Sequence, residues 1–123
     1  MGDRGVVILV EDDDDVREAL GWFLQGVGFD VIEHATPAGF LAATPPAAPR
    51  CVLLDLRLPG VSGLEVLERL RARGDATPVI LLTGHGSTAA ARDALARGAF
   101  AFFEKPVDHQ RLVARLDEAL AAA

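Results

Sequence analysis

Reactive side chains follow four short apolar runs in this chain. Glu11, Asp12 and Asp13 follow Val6-Val-Ile-Leu-Val10, and Asp55 follows Cys51-Val-Leu-Leu54. Thr83 follows Val79-Ile-Leu-Leu82, and Glu104 with Lys105 follows Phe100-Ala-Phe-Phe103. If the runs are strands of an open parallel sheet, these groups meet at its carboxyl edge, where such sheets bind ligands. The meeting would hold several carboxylates, one hydroxyl and one ammonium. Two carboxylates about 5 Å apart repel by about 3 kcal/mol at an effective dielectric of 20. Three therefore need a counter-charge, a shared proton or a cation. All-oxygen ligation by a few carboxylates suits magnesium, which keeps waters and takes phosphate oxygens. A lysine beside them holds one carboxylate and neutralises an incoming phosphoryl oxygen. A carboxylate so placed can accept a phosphoryl group as an acyl phosphate, and Thr83 can donate a hydrogen bond to it.

Each residue also has a plainer role. Asp12 to Asp15 could supply an N-cap and first-turn acids to the next helix, a role best suited to Asp14 or Asp15. Asp55 and Thr83 could each serve a turn, and Lys105 could be an ordinary surface lysine. Their joint placement at four strand ends favours the shared site.

The positioning elements are legible as alternating patterns. The first three runs do not alternate polar with apolar, as expected of strands buried on both faces. Val31-Ile32 marks a weaker strand. Val16, Ala19, Leu20, Phe23, Leu24 and Val27 recur at helical spacing, as do Leu64, Leu67 and Leu70, and Leu112, Leu116 and Leu120. Gly28, Gly74 and Gly98 follow helical segments where a left-handed residue ends a helix. The Pro-rich stretch 44–49 predicts a loop. The result is strand–helix repeated five times: an α/β, doubly wound five-stranded parallel sheet with helices on both faces. Periodicity alone leaves the strand order open. Residues 1–123 read as one domain.

The chain has 18 acids, 12 bases and a net charge of −6, and Glu11 to Asp15 are five consecutive acids. Without these five, 13 acids face 12 bases, so the surplus is largely local. Direct nucleic-acid binding through a basic face is not expected. No apolar run reaches the roughly 18–20 residues of a spanning helix. The single cysteine, Cys51, excludes an internal disulfide. A reduced, cytoplasmic setting is expected.

Four segments carry a resemblance over essentially the whole chain: Val10-Glu-Asp-Asp13, Leu54-Asp-Leu-Arg-Leu-Pro-Gly-Val-Ser-Gly63, Leu82-Thr-Gly-His-Gly86 and Gly98-Ala-Phe-Ala-Phe-Phe-Glu-Lys-Pro106. In this order the chain resembles the receiver domain of two-component response regulators. It looks most like receivers of transcriptional activators of the dicarboxylate-transport and nitrogen-regulation kind, or those attached to helix-turn-helix outputs. The resemblance implies a flavodoxin-like fold with strand order 2-1-3-4-5. It implies that Asp55 accepts phosphate from a histidine kinase's phosphohistidine, and that Glu11, Asp12, Asp55 and the Arg57 backbone carbonyl hold Mg2+. Lys105 would pair with the phosphoryl group beside a Lys105-Pro106 bond that is often cis. Thr83 would be the switch hydroxyl and Phe102 the switch aromatic. The implied domain modifies and slowly dephosphorylates itself and is not a turnover enzyme.

Some positions depart from the commonest pattern or vary within it. Glu11 stands where many members have aspartate, and Phe102 lacks a tyrosine hydroxyl. Arg57 and His85 occupy variable positions that influence the hydrolytic water. The segment 88–97 offers Leu95 as its one large apolar side chain, so this helix is expected to be weakly anchored. Asp14 and Asp15 begin a helix suited to kinase docking, and the last helix and fifth strand suit a homodimer formed on phosphorylation. The rival readings are an aspartyl-phosphate phosphohydrolase, a non-phosphorylated flavodoxin-like module, and a degenerate receiver acting only by interaction. The first usually needs a second acid near the nucleophile, where Arg57 stands. The second lacks a phosphate loop after the first strand. The intact acids, threonine and lysine oppose the third.

Overall fold

The computed structural model describes residues 4–47, 49–58, 60–84 and 88–122. The chain forms β1 (Val6–Val10), α1 (Asp14–Gly26), β2 (Asp30–His34), α2 (Pro37–Ala42) and β3 (Arg50–Asp55). It continues with β4 (Arg57–Leu58), β5 (Val61–Ser62), α3 (Gly63–Ala72), β6 (Val79–Thr83), α4 (Thr88–Ala96), β7 (Ala101–Glu104) and α5 (His109–Ala122).

Five strands make one parallel sheet in the order β2-β1-β3-β6-β7. Counting only these strands, this is the order 2-1-3-4-5. The labels differ because a two-residue antiparallel pair, β4 with β5, sits between β3 and α3. The sequence patterns do not show that pair.

The apolar runs are continuous because both sheet faces are covered. Val7, Leu9, Cys51, Leu53, Ile80 and Leu82 pack with Leu24 of α1 and with Leu112 and Leu116 of α5. The alternate residues Ile8, Val10, Val52, Leu54, Val79 and Leu81 pack with Phe40 of α2, Leu67 and Leu70 of α3, and Ala94 of α4. The apolar side chains of β1, β3 and β6 thus alternate between the two cores.

Local chemistry ends the helices. Gly28, Gly74 and Gly98 all have positive φ, at 109°, 79° and 107°, immediately beyond α1, α3 and α4. The N-cap of α1 is Asp13, whose side chain accepts from the Asp15 and Val16 amides. Asp14 and Asp15 are first-turn acids and favour the positive end of the helix. The acid run thus supplies both the N-cap and the first-turn acids of α1, with Asp14 and Asp15 in the latter role. Helix α2 is short, with Thr36 as cap and Pro37 at its first position. Among the described residues, no helix is long and apolar enough to cross a membrane.

Candidate phosphoacceptor and metal site

Register brings the acids together. Val10 pairs with Leu54 across β1 and β3, so Glu11 and Asp55 leave the sheet side by side. Asp55 in turn pairs with Leu82, and Thr83 pairs with Glu104, one residue before Lys105. The four strand ends therefore converge on one edge. One ligand oxygen from each of Glu11, Asp12 and Asp55 lies within 4.8 Å of the others.

Lys105 bridges two of these carboxylates. Its Nζ donates to Asp55 Oδ2 at 2.7 Å and to Glu11 Oε1 at 3.3 Å. The backbone helps: the Lys105 amide donates to the Thr83 carbonyl at 2.7 Å, and the Lys105-Pro106 bond is cis. The other Asp55 oxygen, Oδ1, accepts from the Arg57 amide at 2.9 Å. Glu11 and Asp55 are buried, whereas Asp12 is exposed. The site is thus open to solvent on the Asp12 side.

Electrostatics follow from that geometry. Burial pushes the Glu11 carboxyl up from its ordinary value, and the nearby Asp55 charge adds to this. For Lys105, burial pulls the ammonium down. The hydrogen bond and charge of Asp55, with those of Glu11, outweigh it, and the net direction is upward. Three carboxylates and one ammonium leave two negative charges in the fully ionised cluster. Hard oxygen donors carrying that charge, with one exposed member leaving room for water, fit a magnesium ion.

Among the described residues, the remaining candidates lie on β4, β6 and β7. Thr83 is buried at the end of β6, and its hydroxyl makes a long 3.5 Å contact to the Phe103 carbonyl. Phe102 is half-buried and packs on the core facing α2 to α4. The Arg57 side chain is exposed. His85 lies outside the described residues. A recess of about 310 Å3 beside the cluster is lined by Val16, Ala19, Leu20, Pro106 and His109. A recess of about 690 Å3 lies away from the site, between the 41–45 and 73–78 segments. Its polar groups pair largely with one another: Arg50 with Asp75 and the Pro46 carbonyl, Arg73 with the Leu41 carbonyl, and Thr77 with Asp75.

Two contributors escape sequence reasoning. A Cβ at Gly63 would lie 2.7 Å from the Asp55 carbonyl oxygen and 2.8 Å from the Leu56 Cα, so only glycine lets α3 start against the Asp55 backbone. The Gly63 amide donates to the Leu56 carbonyl at 2.7 Å. The second is Arg17, whose guanidinium donates to the Glu11 carbonyl at 2.9 Å. Its sequence signal is a base two residues after an acid run.

Comparison with known proteins places this geometry. The family profile described as the response regulator receiver domain matches residues 7–117. The transcriptional regulatory protein FixJ of Azorhizobium caulinodans is 42% identical over 114 residues, covering 93% of this chain and 54% of that protein. The DNA-binding transcriptional regulator NtrC of Escherichia coli is 35% identical over 117 residues, covering 95% of this chain and 25% of that protein. Full-length FixJ from B. japonicum superposes with a TM-score of 0.91 at 34% identity, covering 98% of this chain and 59% of that one. The FixJ-N crystal structure gives 0.90 at 33% identity, with 100% and 98% coverage. The chain spans about half the length of the FixJ relatives it matches.

Proposed function

This chain belongs to the response regulator receiver domain family, and on that premise we propose that Asp55 accepts a phosphoryl group from a histidine kinase's phosphohistidine. The single observation that carries the proposal is the Lys105 ammonium seated between Asp55 and Glu11, with Asp12 alongside. In the transfer, an Asp55 carboxylate oxygen attacks phosphorus. The new P–O bond forms as the P–N bond to imidazole breaks, and imidazole leaves. Lys105 stays beside Asp55 and neutralises a phosphoryl oxygen. Glu11, Asp12, Asp55 and the Arg57 carbonyl would hold Mg2+, which supplies charge neutralisation to the entering group.

Phosphorylation adds close to two negative charges and strong acceptors. Thr83 is free to exchange its long contact with the Phe103 carbonyl for a phosphoryl oxygen. Phe102, half-buried on the same sheet edge, then fills the space released. This two-packing switch relays the signal to an output, which we read as transcriptional because the relatives FixJ and NtrC are named as transcriptional regulators. The domain is an acceptor that also loses its phosphoryl group slowly, rather than a turnover enzyme. The apolar recess beside Lys105, together with Asp14 and Asp15, supports kinase docking there. The β7 and α5 surface is the proposed face of a phosphorylation-dependent homodimer.

The test is incubation with a small acyl phosphate, with and without Mg2+, read by intact mass. One phosphoryl group is expected on the wild type with Mg2+, and none on Asp55→Asn. No mass gain on the wild type, or an equal gain on Asp55→Asn, overturns the reading. Sustained turnover of a phosphomonoester would mark a phosphohydrolase instead.

A further inference from the structure

Arg17 lies on the first turn of α1 with its side chain half-buried, at 18% exposure. Its guanidinium reaches three groups from three elements. Nη1 donates to the Glu11 carbonyl at the β1 exit, Nη2 pairs with Asp14, and Nε lies 3.7 Å from Glu33 Oε1 on β2. Glycine makes room for the last contact. A Cβ at buried Gly21 would sit 2.8 Å from Glu33 Oε2. Glu33 thus lies over α1 at bare, buried Gly21 and faces Arg17. On the other side of the same residue, the Glu11 amide donates to the His34 carbonyl at 3.1 Å. Glu11 is therefore pinned by its amide to β2 and by its carbonyl to Arg17. That carbonyl belongs to the peptide unit leading into Asp12.

We propose that Arg17 is a positioning residue for the metal site: seated by Glu33 and Asp14, it holds the Glu11 carbonyl and so fixes the Glu11–Asp12 peptide that presents two of the three carboxylates. The proposal rests on the reading of Glu11, Asp12 and Asp55 as the Mg2+ ligands. The planar fork suits the role, because it donates to a carbonyl and to the Asp14 carboxylate while its Nε faces the Glu33 carboxylate at ion-pair distance. An ammonium on a flexible stem cannot hold all three directions. A charge-assisted bond to a half-buried carbonyl is also among the stronger ones available.

The sign of the effect separates positioning from simple charge. As a mere cation, Arg17 opposes Mg2+, and removing it tightens binding. As a positioning residue, its loss loosens two carboxylates and weakens binding. Groups that orient metal ligands typically change affinity 10- to 100-fold, so Arg17→Gln is expected to weaken Mg2+ binding about tenfold by calorimetric titration. Arg17→Lys keeps the charge and is expected to recover only a minor part. Tighter binding in Arg17→Gln, or wild-type binding in Arg17→Lys, overturns the proposal. A metal-free readout is decisive on its own: in EDTA, amide exchange at Glu11, Asp12 and Asp13 is expected to speed up in Arg17→Gln. Unchanged exchange there overturns the proposal whether or not Mg2+ binds, whereas a wild type that binds no Mg2+ overturns the ligand assignment instead. Should Arg17→Gln fail to fold, Gly21→Ala decides. It displaces Glu33 from Arg17 without touching a ligand, and a smaller loss of Mg2+ affinity is expected. Unchanged affinity in Gly21→Ala then counts against the proposal.

Discussion

Lys105 and Asp55, fifty residues apart in sequence, meet at 2.7 Å across the ends of β7 and β3. The contact is half-exposed on the lysine side and buried on the carboxylate side. Removing the ammonium leaves Glu11 and Asp55 facing each other with no cation between them. Lys105→Met is expected to destabilise the metal-free protein by about 1 to 2 kcal/mol, between the values for exposed and buried pairs. Urea unfolding in EDTA measures it. Mg2+ no longer competes with Lys105 in the variant, so the stability gained on adding Mg2+ should be larger than in the wild type. A smaller gain would contradict the shared electrostatics.

Glu11 gives the site a pH signature. Its folded-state carboxyl titrates above the ordinary value of 4.5, first through burial and then through Asp55. A raised carboxyl binds its proton more readily when folded. Its contribution to stability is therefore present below the unfolded value and is lost as pH rises through the folded one. Metal-free Glu11→Gln should be more stable than wild type at neutral pH, with the advantage closing as pH falls through the raised folded value and gone once pH is below 4.5. Mg2+ should reverse the order, because the amide brings no charge to the cation. Unfolding curves across pH, with and without Mg2+, show either this crossing or its absence.

Gly63 is where α3 touches the acceptor strand. An added methyl group meets the Asp55 carbonyl oxygen and the Leu56 Cα, both backbone atoms with little freedom to move. Gly63→Ala is expected to cost about 1 to 3 kcal/mol as an overpacking change. It should also weaken Mg2+ binding by shifting Asp55. Gly26→Ala is the contrast: its added methyl meets nothing within 4 Å. At a right-handed position in α1, that change should stabilise by about 0.5 kcal/mol. Similar costs for the two would remove the argument from close approach.

The parts readable from sequence share a cause. Val6–Val10 and Val79–Thr83 were legible because strands covered on both faces read as unbroken apolar runs. The candidate site was legible because its members terminate those runs. The parts that were not readable lack a period. Arg57–Leu58 and Val61–Ser62 are too short to alternate, and six-residue α2 was legible only as a place in the strand–helix alternation. The N-cap fell on Asp13 because any of four consecutive aspartates satisfies the same preference. Arg17 and Gly63 act on backbone atoms, a relation that side-chain patterns do not encode.

Cys51 offers a clock for global opening. Its thiol is fully buried in the core facing α1 and α5, and burial pushes it up to about 12. The thiolate is the reactive form, so the folded protein should resist a thiol reagent near neutral pH. Reactivity should rise along the urea unfolding transition seen by circular dichroism. A raised thiol also contributes stability that is present below its unfolded value of 9.0 and lost as pH climbs toward about 12. Rapid labelling of the native protein would show that β3 opens locally.

Helix α4 is the element whose anchoring most resembles a switch. The sequence left Leu95 as its one large apolar side chain, and the structure leaves even that 39% exposed. Burial falls to Ala91 and Ala94, which bury little area. Among the described residues, polar ties to α3 lie just beyond the C-terminal end of α4. Arg97 pairs with Glu68 of α3, and Arg71 of α3 donates to the Gly98 carbonyl at 3.0 Å. Arg71 also donates to the carbonyls of Asp75 and Thr77, so the clamp belongs to the α3 exit loop. A helix held at its C-terminal end and weakly packed along its length pivots rather than detaches. Amides 92–94 should therefore exchange faster than buried amides of α3 and α5, and the change on adding beryllium fluoride with Mg2+ should be largest in α4. Arg71→Ala should raise exchange at 97–99 and remove the pivot. Slow, equal exchange across 88–97 with and without the phosphoryl mimic would rule this motion out.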